Sequence, residues 1–210
     1  RVEACPALRV TTRVPAAHGA FGELRAPLVG RQRELDLLDT TYERVCSERR
    51  AALVTVFGPA GIGKSRLLED WVARKQHASL VGRCLPYGEG ITFWPVKEML
   101  HIEGSIAPSD AREEVTAKIR AAVLRAFGDG DGDADAVARR LSVLVGNLPA
   151  EQAIPDVQSS NVAAELRWAV RRYVERRAQD AIVIVFEDLQ WAEPGLLDLI
   201  EHLAEWTRGP

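Results

Sequence analysis

The stretch Gly58–Ser65, with the sequence GPAGIGKS, constrains this chain more than any other part of it. It fits the pattern G-x-x-x-x-G-K-[ST] at every fixed position, and it lies between an apolar run at 51–57 and a helical pattern at 61–75. Glycines here let the backbone wrap around phosphate oxygens and donate its N–H groups, and the following helix N-terminus adds partial positive charge. We expect Lys64 to reach the terminal phosphates of a nucleotide and the Ser65 hydroxyl to bind Mg²⁺.

A second polar feature ends the most apolar strand pattern of the chain, where AIVIVF at 181–186 leads directly into Glu187 and Asp188. A loop that binds a nucleoside triphosphate with Mg²⁺ needs an acid at the tip of a neighbouring strand. We expect one of these carboxylates to hold the metal ion and the other to polarise the attacking water. The sequence leaves open which acid has which role, and the alternative is a strand that ends in two solvated acids.

Continuous apolar runs separated by helical patterns predict an α/β fold with a parallel sheet covered by helices on both faces. With the phosphate loop, this pattern predicts the three-layer αβα architecture of P-loop NTPases. Strands are predicted at 51–57, 79–87 and 181–186, and helices at 31–48, 61–75, in the stretch that ends at Leu100, and at 109–127, 134–146, 160–178 and 194–206. Residues 1–26 show no sustained periodicity, so we expect a linker or tail followed by a P-loop core at 27–210.

Composition argues against several other classes of protein. The 210 residues carry a formal net charge of −3, which gives no basis for a nucleic-acid-binding surface. No apolar run approaches the roughly 18 residues of a membrane span and no signal peptide is visible, so we expect a cytoplasmic protein without membrane contact. Three widely spaced cysteines favour free thiols in a reducing compartment. The acidic stretch at 128–135 and the arginines of the 160–178 helix are interpreted as solvated surface.

Four motifs, taken in order along the chain, resemble one family. They are PLVGRQREL at 27–35, the phosphate loop, GRCLPYGEGITFWPV at 82–96 and VFEDLQWAEP at 185–194. Together they are similar to the AAA-type ATPase module of the signal-transduction NTPases with numerous domains (the STAND class). Such modules follow class III adenylate or guanylate cyclase domains in bacteria, and similar ones precede helix-turn-helix domains in LuxR-type regulators. The resemblance extends from about residue 26 to residue 210.

The resemblance implies roles for individual residues. Those implied at the adenine and ribose edge of ATP are Leu28, Val29, Gly30 and Arg31. Those implied in the phosphate cradle are Gly58, Gly61, Ile62, Gly63, Lys64, Ser65 and Arg66. Glu187 and Asp188 match the family's Mg²⁺-binding acid motif, Trp191 is expected to pack, and the run at 82–96 is expected to be structural. The family's module continues into a sensor strand and a helical lid, so a core that ends at Pro210 is expected to be incomplete at its C-terminus.

The sequence therefore predicts an ATP- and Mg²⁺-binding switch with slow or conditional ATPase activity, in a multidomain bacterial signalling protein that is cyclase-linked or a transcriptional regulator. Its expected partners are the nucleotide, other domains of the same polypeptide and further copies of itself in a homo-oligomer, without nucleic acid or membrane. The alternative is a hydrolysis-dead P-loop scaffold that serves protein–protein interaction. A metabolic kinase is disfavoured because no acceptor-substrate motif is visible. The preference for ATP over GTP comes from the resemblance alone.

Overall fold

The computed structural model describes residues 29–75, 78–86, 92–128, 130–154, 161–178 and 181–207. The predicted tail at 1–26 lies outside these ranges, and so does Leu28. The described helices are α1 (Gln32–Glu48), α2 (Lys64–Lys75), α3 (Trp94–Glu103), α4 (Arg112–Phe127), α5 (Ala134–Leu144), α6 (Ala150–Ala153), α7 (Val162–Arg177) and α8 (Pro194–Trp206). The strands are β1 (Ser79–Arg83) and β2 (Val183–Glu187), and a 3₁₀ helix at Leu189–Trp191 follows β2. None of the described helices combines the length and apolarity that a bilayer crossing requires.

Helix positions follow the predicted periodicity, with differences at the ends. α8 begins at Pro194. The N–H groups in the first turn of a helix have no partner within the helix, so proline, which has no N–H group, fits this position well. α2 begins at Lys64 rather than at residue 61, because Gly61 and Gly63 have positive φ angles that a right-handed helix does not contain. The loop therefore extends to the residue before the lysine.

The two strands form a parallel pair, as predicted. The register matches residues 79–83 with residues 183–187 in order. In β2, Val185 belongs to one hydrophobic cluster and the next residue, Phe186, to another, as expected for a strand whose side chains alternate between two buried faces.

Two hydrophobic clusters hold the helices against these faces. The larger cluster contains buried side chains of α3, α4, α5, α7 and α8 together with Leu80 and Phe186 of the strands. The smaller cluster joins α1 and α2 to β2 through Leu35, Leu68 and Val185. Helices therefore cover both faces of the strand pair, which agrees with the predicted αβα layers, although the described sheet is only two strands wide.

The run at 51–57, predicted as the strand before the phosphate loop, forms no ladder with β1 or β2 in the described part of the chain. A cavity of about 360 Å³ is lined by Ala51 and Val54 of this run together with Ile182 and Ile184. The prediction of a third paired strand is therefore wrong for the described residues.

Arginines of α7 pair with acidic side chains of the stretch at 128–135. Nη2 of Arg172 lies 2.5 Å from Oδ2 of Asp133, and Nη2 of Arg176 lies 2.5 Å from Oδ2 of Asp131. Both aspartates belong to the acidic stretch at 128–135. The acidic stretch and the arginines of α7 therefore neutralise each other, while the side chains of Arg172, Asp133 and Arg176 stay partly exposed to solvent.

Glu103, the last residue of α3, joins that helix to α7. Its Oε2 accepts hydrogen bonds from the Tyr173 hydroxyl at 3.0 Å and from Nε of Arg177 at 2.8 Å. Burial raises the pKa of Glu103, but the hydrogen bonds from Arg177 and Tyr173 outweigh burial and hold that pKa below its usual range. The ionised form is thus favoured in the folded state, and the pair ties α3 to the core.

Candidate functional site

The phosphate loop lies between residue 57 and the first turn of α2. Gly61 and Gly63 have φ angles of 76° and 94°, in the left-handed region that residues with a Cβ rarely adopt. A Cβ on Gly58 would lie 3.0 Å from Cγ2 of Ile62, so the start of the loop packs closely against its middle. The backbone of the loop therefore favours glycine at residues 61 and 63, and the side chain of Ile62 limits the space at residue 58.

Lys64 is the first residue of α2, and its side chain folds back over the loop. Its Nζ donates hydrogen bonds to the carbonyl oxygens of Gly58 at 2.9 Å and Pro59 at 3.1 Å. Ser65 follows as the second residue of the helix and is half-buried. A charged phosphate oxygen is a stronger acceptor for an ammonium than a neutral carbonyl, so these contacts can be exchanged for a phosphate.

The segment before α1 reaches the loop through Arg31. Its Nη2 donates to the carbonyl oxygen of Ile62 at 2.9 Å, and its Nη1 donates to Oε1 of Glu34 at 2.8 Å. The second hydrogen bond lowers the pKa of Glu34 below its usual range. Val29 is exposed, and the chain turns at Gly30, which has a φ angle of 76°. The structure therefore brings Arg31 to the phosphate loop, and contact with a base stays a prediction.

Arg66, implied by the resemblance to be part of the phosphate cradle, pairs along its own helix. Its Nε lies 3.4 Å from Oδ1 of Asp70, and Nη2 of Arg74 lies 3.6 Å from the other oxygen of that aspartate. Pairs at this spacing stabilise a helix. A contact of Arg66 with phosphate stays a prediction.

Glu187 and Asp188 end β2 in different environments. The Glu187 side chain is 1% exposed, whereas that of Asp188 is 43% exposed. Asp188 has a φ angle of 55°, which aspartate tolerates better than most residues, and its Oδ1 accepts a hydrogen bond from Nε2 of Gln190 at 3.3 Å. Trp191, expected to pack, is 51% exposed. The strand end therefore presents one buried and one solvent-accessible carboxylate.

Arg83, the last residue of β1, is the partner of both acids, and the sequence analysis did not identify it. Its Nε and Nη2 lie 3.2 Å and 3.1 Å from Oε2 of Glu187. The same Nε lies 3.7 Å from Oδ2 of Asp188. Arg83 and Glu187 are register partners in the parallel ladder, so their side chains leave the sheet on the same face. The signal that could have found Arg83 is its position near the carboxyl end of a strand predicted to run parallel to the acid-bearing strand.

Cys84 follows Arg83 and lies beside the acids. Its N–H donates to the carbonyl oxygen of Glu187 at 2.9 Å, which continues the parallel pairing beyond the strand. Burial and, to a smaller extent, the negative charges of Asp188 and Glu187 raise the pKa of the Cys84 thiol to about 11. The thiol is therefore neutral at physiological pH and does not act as a nucleophile.

The described residues of the run at 82–96 pack against the two strand ends. A Cβ on Gly82 would lie 2.1 Å from the carbonyl oxygen of Pro95, so α3 rests directly on the backbone of β1. The Thr92 hydroxyl donates a hydrogen bond to the carboxylate of Glu193, in the segment that follows the acids. These contacts agree with the structural role expected for this run.

One hydrophobic cluster relates the phosphate loop to the acids. Val54 and Val56, which precede the loop, pack against the cluster that contains Val183 and Val185 of β2. Val56 lies two residues before the first loop glycine, and Val185 lies two residues before Glu187. The loop and the acids therefore follow two segments that share one core.

The residues present fit a Mg²⁺–nucleotide pair by their chemistry. Carboxylate and hydroxyl oxygens from Glu187, Asp188 and Ser65 are the hard ligands that Mg²⁺ prefers, and this ion commonly binds one or two carboxylates together with waters and substrate phosphates. The space beside Gly61 and Gly63 is open, since an added Cβ would meet no atom within 4 Å at either position. In the described ranges, no three His, Cys, Asp or Glu side chains converge into a metal site.

The chain is 29% identical over 194 residues to an uncharacterized protein of Rhizobium meliloti (strain 1021), in an alignment that covers 88% of this chain and 18% of that relative. The chain thus spans less than a fifth of the relative's length. No solved structure matches the chain significantly.

The family described as "AAA ATPase domain" matches residues 27–208. A domain of this family implies the αβα fold of P-loop NTPases, with which the parallel strand pair and its helices on both faces are consistent. The chain therefore belongs to the AAA ATPase domain family.

Proposed function

We propose that this chain binds ATP with Mg²⁺ and acts as a regulatory switch with slow or conditional ATPase activity in a multidomain bacterial signalling protein. The observation that carries the proposal is a complete phosphate loop, with Lys64 folded over it, combined with a buried acid at the end of β2. AAA ATPase domains generally bind ATP with Mg²⁺. The chain contains both the residue types that bind nucleotide phosphates and those that bind Mg²⁺.

The loop is the proposed site of the nucleotide phosphates. Backbone N–H groups from Gly61 to Ser65, at the start of α2, donate to phosphate oxygens. Lys64 exchanges its two carbonyl contacts for the terminal phosphates, which are stronger acceptors. When bound, Mg²⁺ neutralises charge on the phosphates during phosphoryl transfer, and Ser65 and Glu187 are the residues that would hold it.

The environments of the two acids favour a division of labour. Glu187 is buried and held by Arg83, which suits a residue that fixes a cation in one position. Asp188 is solvent-accessible, so we assign to it the orientation of the attacking water. Its side chain is one methylene shorter than that of glutamate and holds a water less closely. This difference supports slow turnover.

The signalling context rests on the order of the four sequence motifs. In this proposal, contacts with the terminal phosphate and Mg²⁺ bias an element between two conformations, as in other phosphate-sensing switches. The chain matches only 18% of its Rhizobium meliloti relative, so domains of a longer polypeptide, cyclase or transcriptional, are the proposed recipients of the signal. A cytoplasmic homo-oligomer is the proposed assembly.

A hydrolysis-dead scaffold is the second candidate, and one observation favours it. Lys64 donates hydrogen bonds to the carbonyl oxygens of Gly58 and Pro59, and Arg83 pairs with the acids, so both of these cations have partners within the protein. A measurement of nucleotide binding distinguishes a switch, which binds nucleotide, from a scaffold that does not.

Thermal unfolding with millimolar Mg·ATP tests the proposal. A ligand present at 100 times its Kd stabilises a protein by about 2.7 kcal/mol, which raises the Tm of a domain of this size by about 5–10 °C. Lys64→Ala is expected to lose most of this shift while keeping its nucleotide-free Tm, because the hydrogen bonds of Lys64 are exposed. Equal shifts in both proteins, or no shift in the wild type, would contradict the switch.

A further inference from the structure

The contact between Arg83 and the two acids occupies the place where the proposed cation would bind. Two N–H groups of the guanidinium converge on one oxygen, Oε2 of Glu187, and one of them also lies near Asp188. A carboxylate that is 1% exposed requires such a partner, because an unpaired buried charge is strongly destabilising. Arg83 therefore supplies the positive charge that the acids need.

We propose that Arg83 is an internal counter-ion that competes with the divalent cation for Glu187 and leaves both acids when the cation binds. The inference deepens the proposed function and rests on it for the identity of the cation and its nucleotide. It gives a role to a residue of the run at 82–96, which was expected to be structural, and it makes the movement of one side chain part of ligand binding.

The surroundings of Arg83 allow its side chain to move while its backbone stays fixed. Its N–H donates to Oε2 of Glu98 at 2.9 Å, and the next N–H, that of Cys84, donates to the carbonyl oxygen of Glu187 at 2.9 Å. The Arg83 side chain is 33% exposed, so one side of it faces water. The guanidinium can therefore leave the acids without disturbing the ladder.

The guanidinium of Arg83 and the divalent cation exclude each other electrostatically. A guanidinium and a divalent cation on the same carboxylate repel each other, and each weakens the binding of the other. A guanidinium released from the acids matches the geometry of phosphate oxygens, with which it forms paired hydrogen bonds. When the metal arrives with a nucleotide, the metal thus takes the acids from Arg83, and the phosphate oxygens become the new partner of the guanidinium.

The test uses Mn²⁺ alone as the probe, titrated into the nucleotide-free protein and followed by electron paramagnetic resonance. Arg83→Gln removes the competing charge and is expected to bind Mn²⁺ about tenfold or more tightly than the wild type. Loss of a hydrogen bond to a charged group changes a binding constant by about this factor. Arg120→Gln is the matched control. It removes the same charge from an exposed ion pair with Asp135, whose partners are 55% and 59% exposed, and should leave Mn²⁺ affinity within about twofold of the wild type.

Two more variants keep the inference testable if Arg83→Gln does not fold, as judged by circular dichroism. Arg83→Lys keeps the charge but lacks the planar fork, so it should bind Mn²⁺ about threefold more tightly than the wild type. Adding Glu187→Gln to either variant should abolish the gain. An affinity in Arg83→Gln no higher than in Arg120→Gln, or in Arg83→Lys no higher than in the wild type, would overturn the inference.

The two proposals fail separately because Mn²⁺ binding is measured without nucleotide. Unchanged Mn²⁺ affinity in the Arg83 variants contradicts the counter-ion and leaves ATP binding standing. Loss of the ATP-induced Tm shift in the wild type contradicts the proposed function, while a gain of Mn²⁺ affinity in Arg83→Gln would still support the counter-ion.

Discussion

Replacement of Gly82 by alanine is expected to push α3 away from β1 and to lower the free energy of unfolding by about 3 kcal/mol. A Cβ at this position would lie 2.1 Å from the carbonyl oxygen of Pro95, 2.6 Å from its carbonyl carbon and 2.7 Å from its Cα. All three atoms belong to the backbone, so no side-chain rotation relieves the overlap. The helix and the strand must separate by about 1 Å or more to restore van der Waals contact.

The displacement is costly because α3 contributes part of the main core. Val96, Met99 and Leu100 are buried in the larger cluster, and a shifted helix loses their close packing. Overpacking typically destabilises a protein by about 1–3 kcal/mol, and we place Gly82→Ala at the upper end because backbone meets backbone. Each kcal/mol lowers the Tm of a domain of this size by about 2–4 °C, so the expected loss is about 6–12 °C.

Urea and thermal denaturation followed by circular dichroism measure this change, and Gly132→Ala is the matched control. A Cβ at Gly132 would meet no atom within 4 Å, so this substitution should stay within about 0.5 kcal/mol of the wild type. If Gly82→Ala unfolds at the same temperature and urea concentration as Gly132→Ala, the direct packing of α3 on β1 is refuted.

Other substitutions and labels test the acids, a buried ion pair and the cysteines. Asp188→Asn should reduce ATP turnover about 100-fold or more while Mg·ATP binding is retained; phosphate release equal to that of the wild type would remove Asp188 from the reaction. At neutral pH, Glu103→Gln should lower the free energy of unfolding by about 1–3 kcal/mol. Burial raises the pKa of Glu103, but the hydrogen bonds from Arg177 and Tyr173 hold it below the usual 4.5, so this stabilisation exists above that pH and is lost as the pH falls further; a difference that persists unchanged under acid conditions would contradict this. Iodoacetamide at pH 8 should label the exposed Cys46 and not Cys84, whose pKa is raised to about 11. Mass spectrometry of the labelled native protein measures this, and labelling of Cys84 as fast as that of Cys46 would contradict the prediction.

The elements that the sequence predicted correctly are those with local signals. The helical periodicities, the apolar runs of β1 and β2 and the loop glycines are each visible within a few consecutive residues. The run at 51–57 carries the same apolar signal as β2, yet it forms no ladder in the described residues. A strand needs a partner at hydrogen-bonding distance, and an apolar run in the sequence does not predict where that partner lies.

The site residue that sequence reasoning missed depends on contacts between distant parts of the chain. Arg83 meets Glu187 only because β1 and β2 pair in one register, and a shift by one residue would place the two side chains on opposite faces. Similarly, Arg172 and Asp133 look like separate solvated charges in the sequence, and the packing of α7 brings them together. Ion pairs between elements are therefore the part of this site that required the structure.

Calorimetric titration of ATP, with Mg²⁺ present, into the wild type and Lys64→Ala tests most directly whether the phosphate loop is a nucleotide site. We predict one saturable site per chain in the wild type. We also predict binding weakened about tenfold or more in Lys64→Ala, because hydrogen bonds to charged groups contribute about 1.5–3 kcal/mol. Equal affinity in the two proteins, or no binding heat in the wild type at millimolar ATP, would contradict the assignment of the loop.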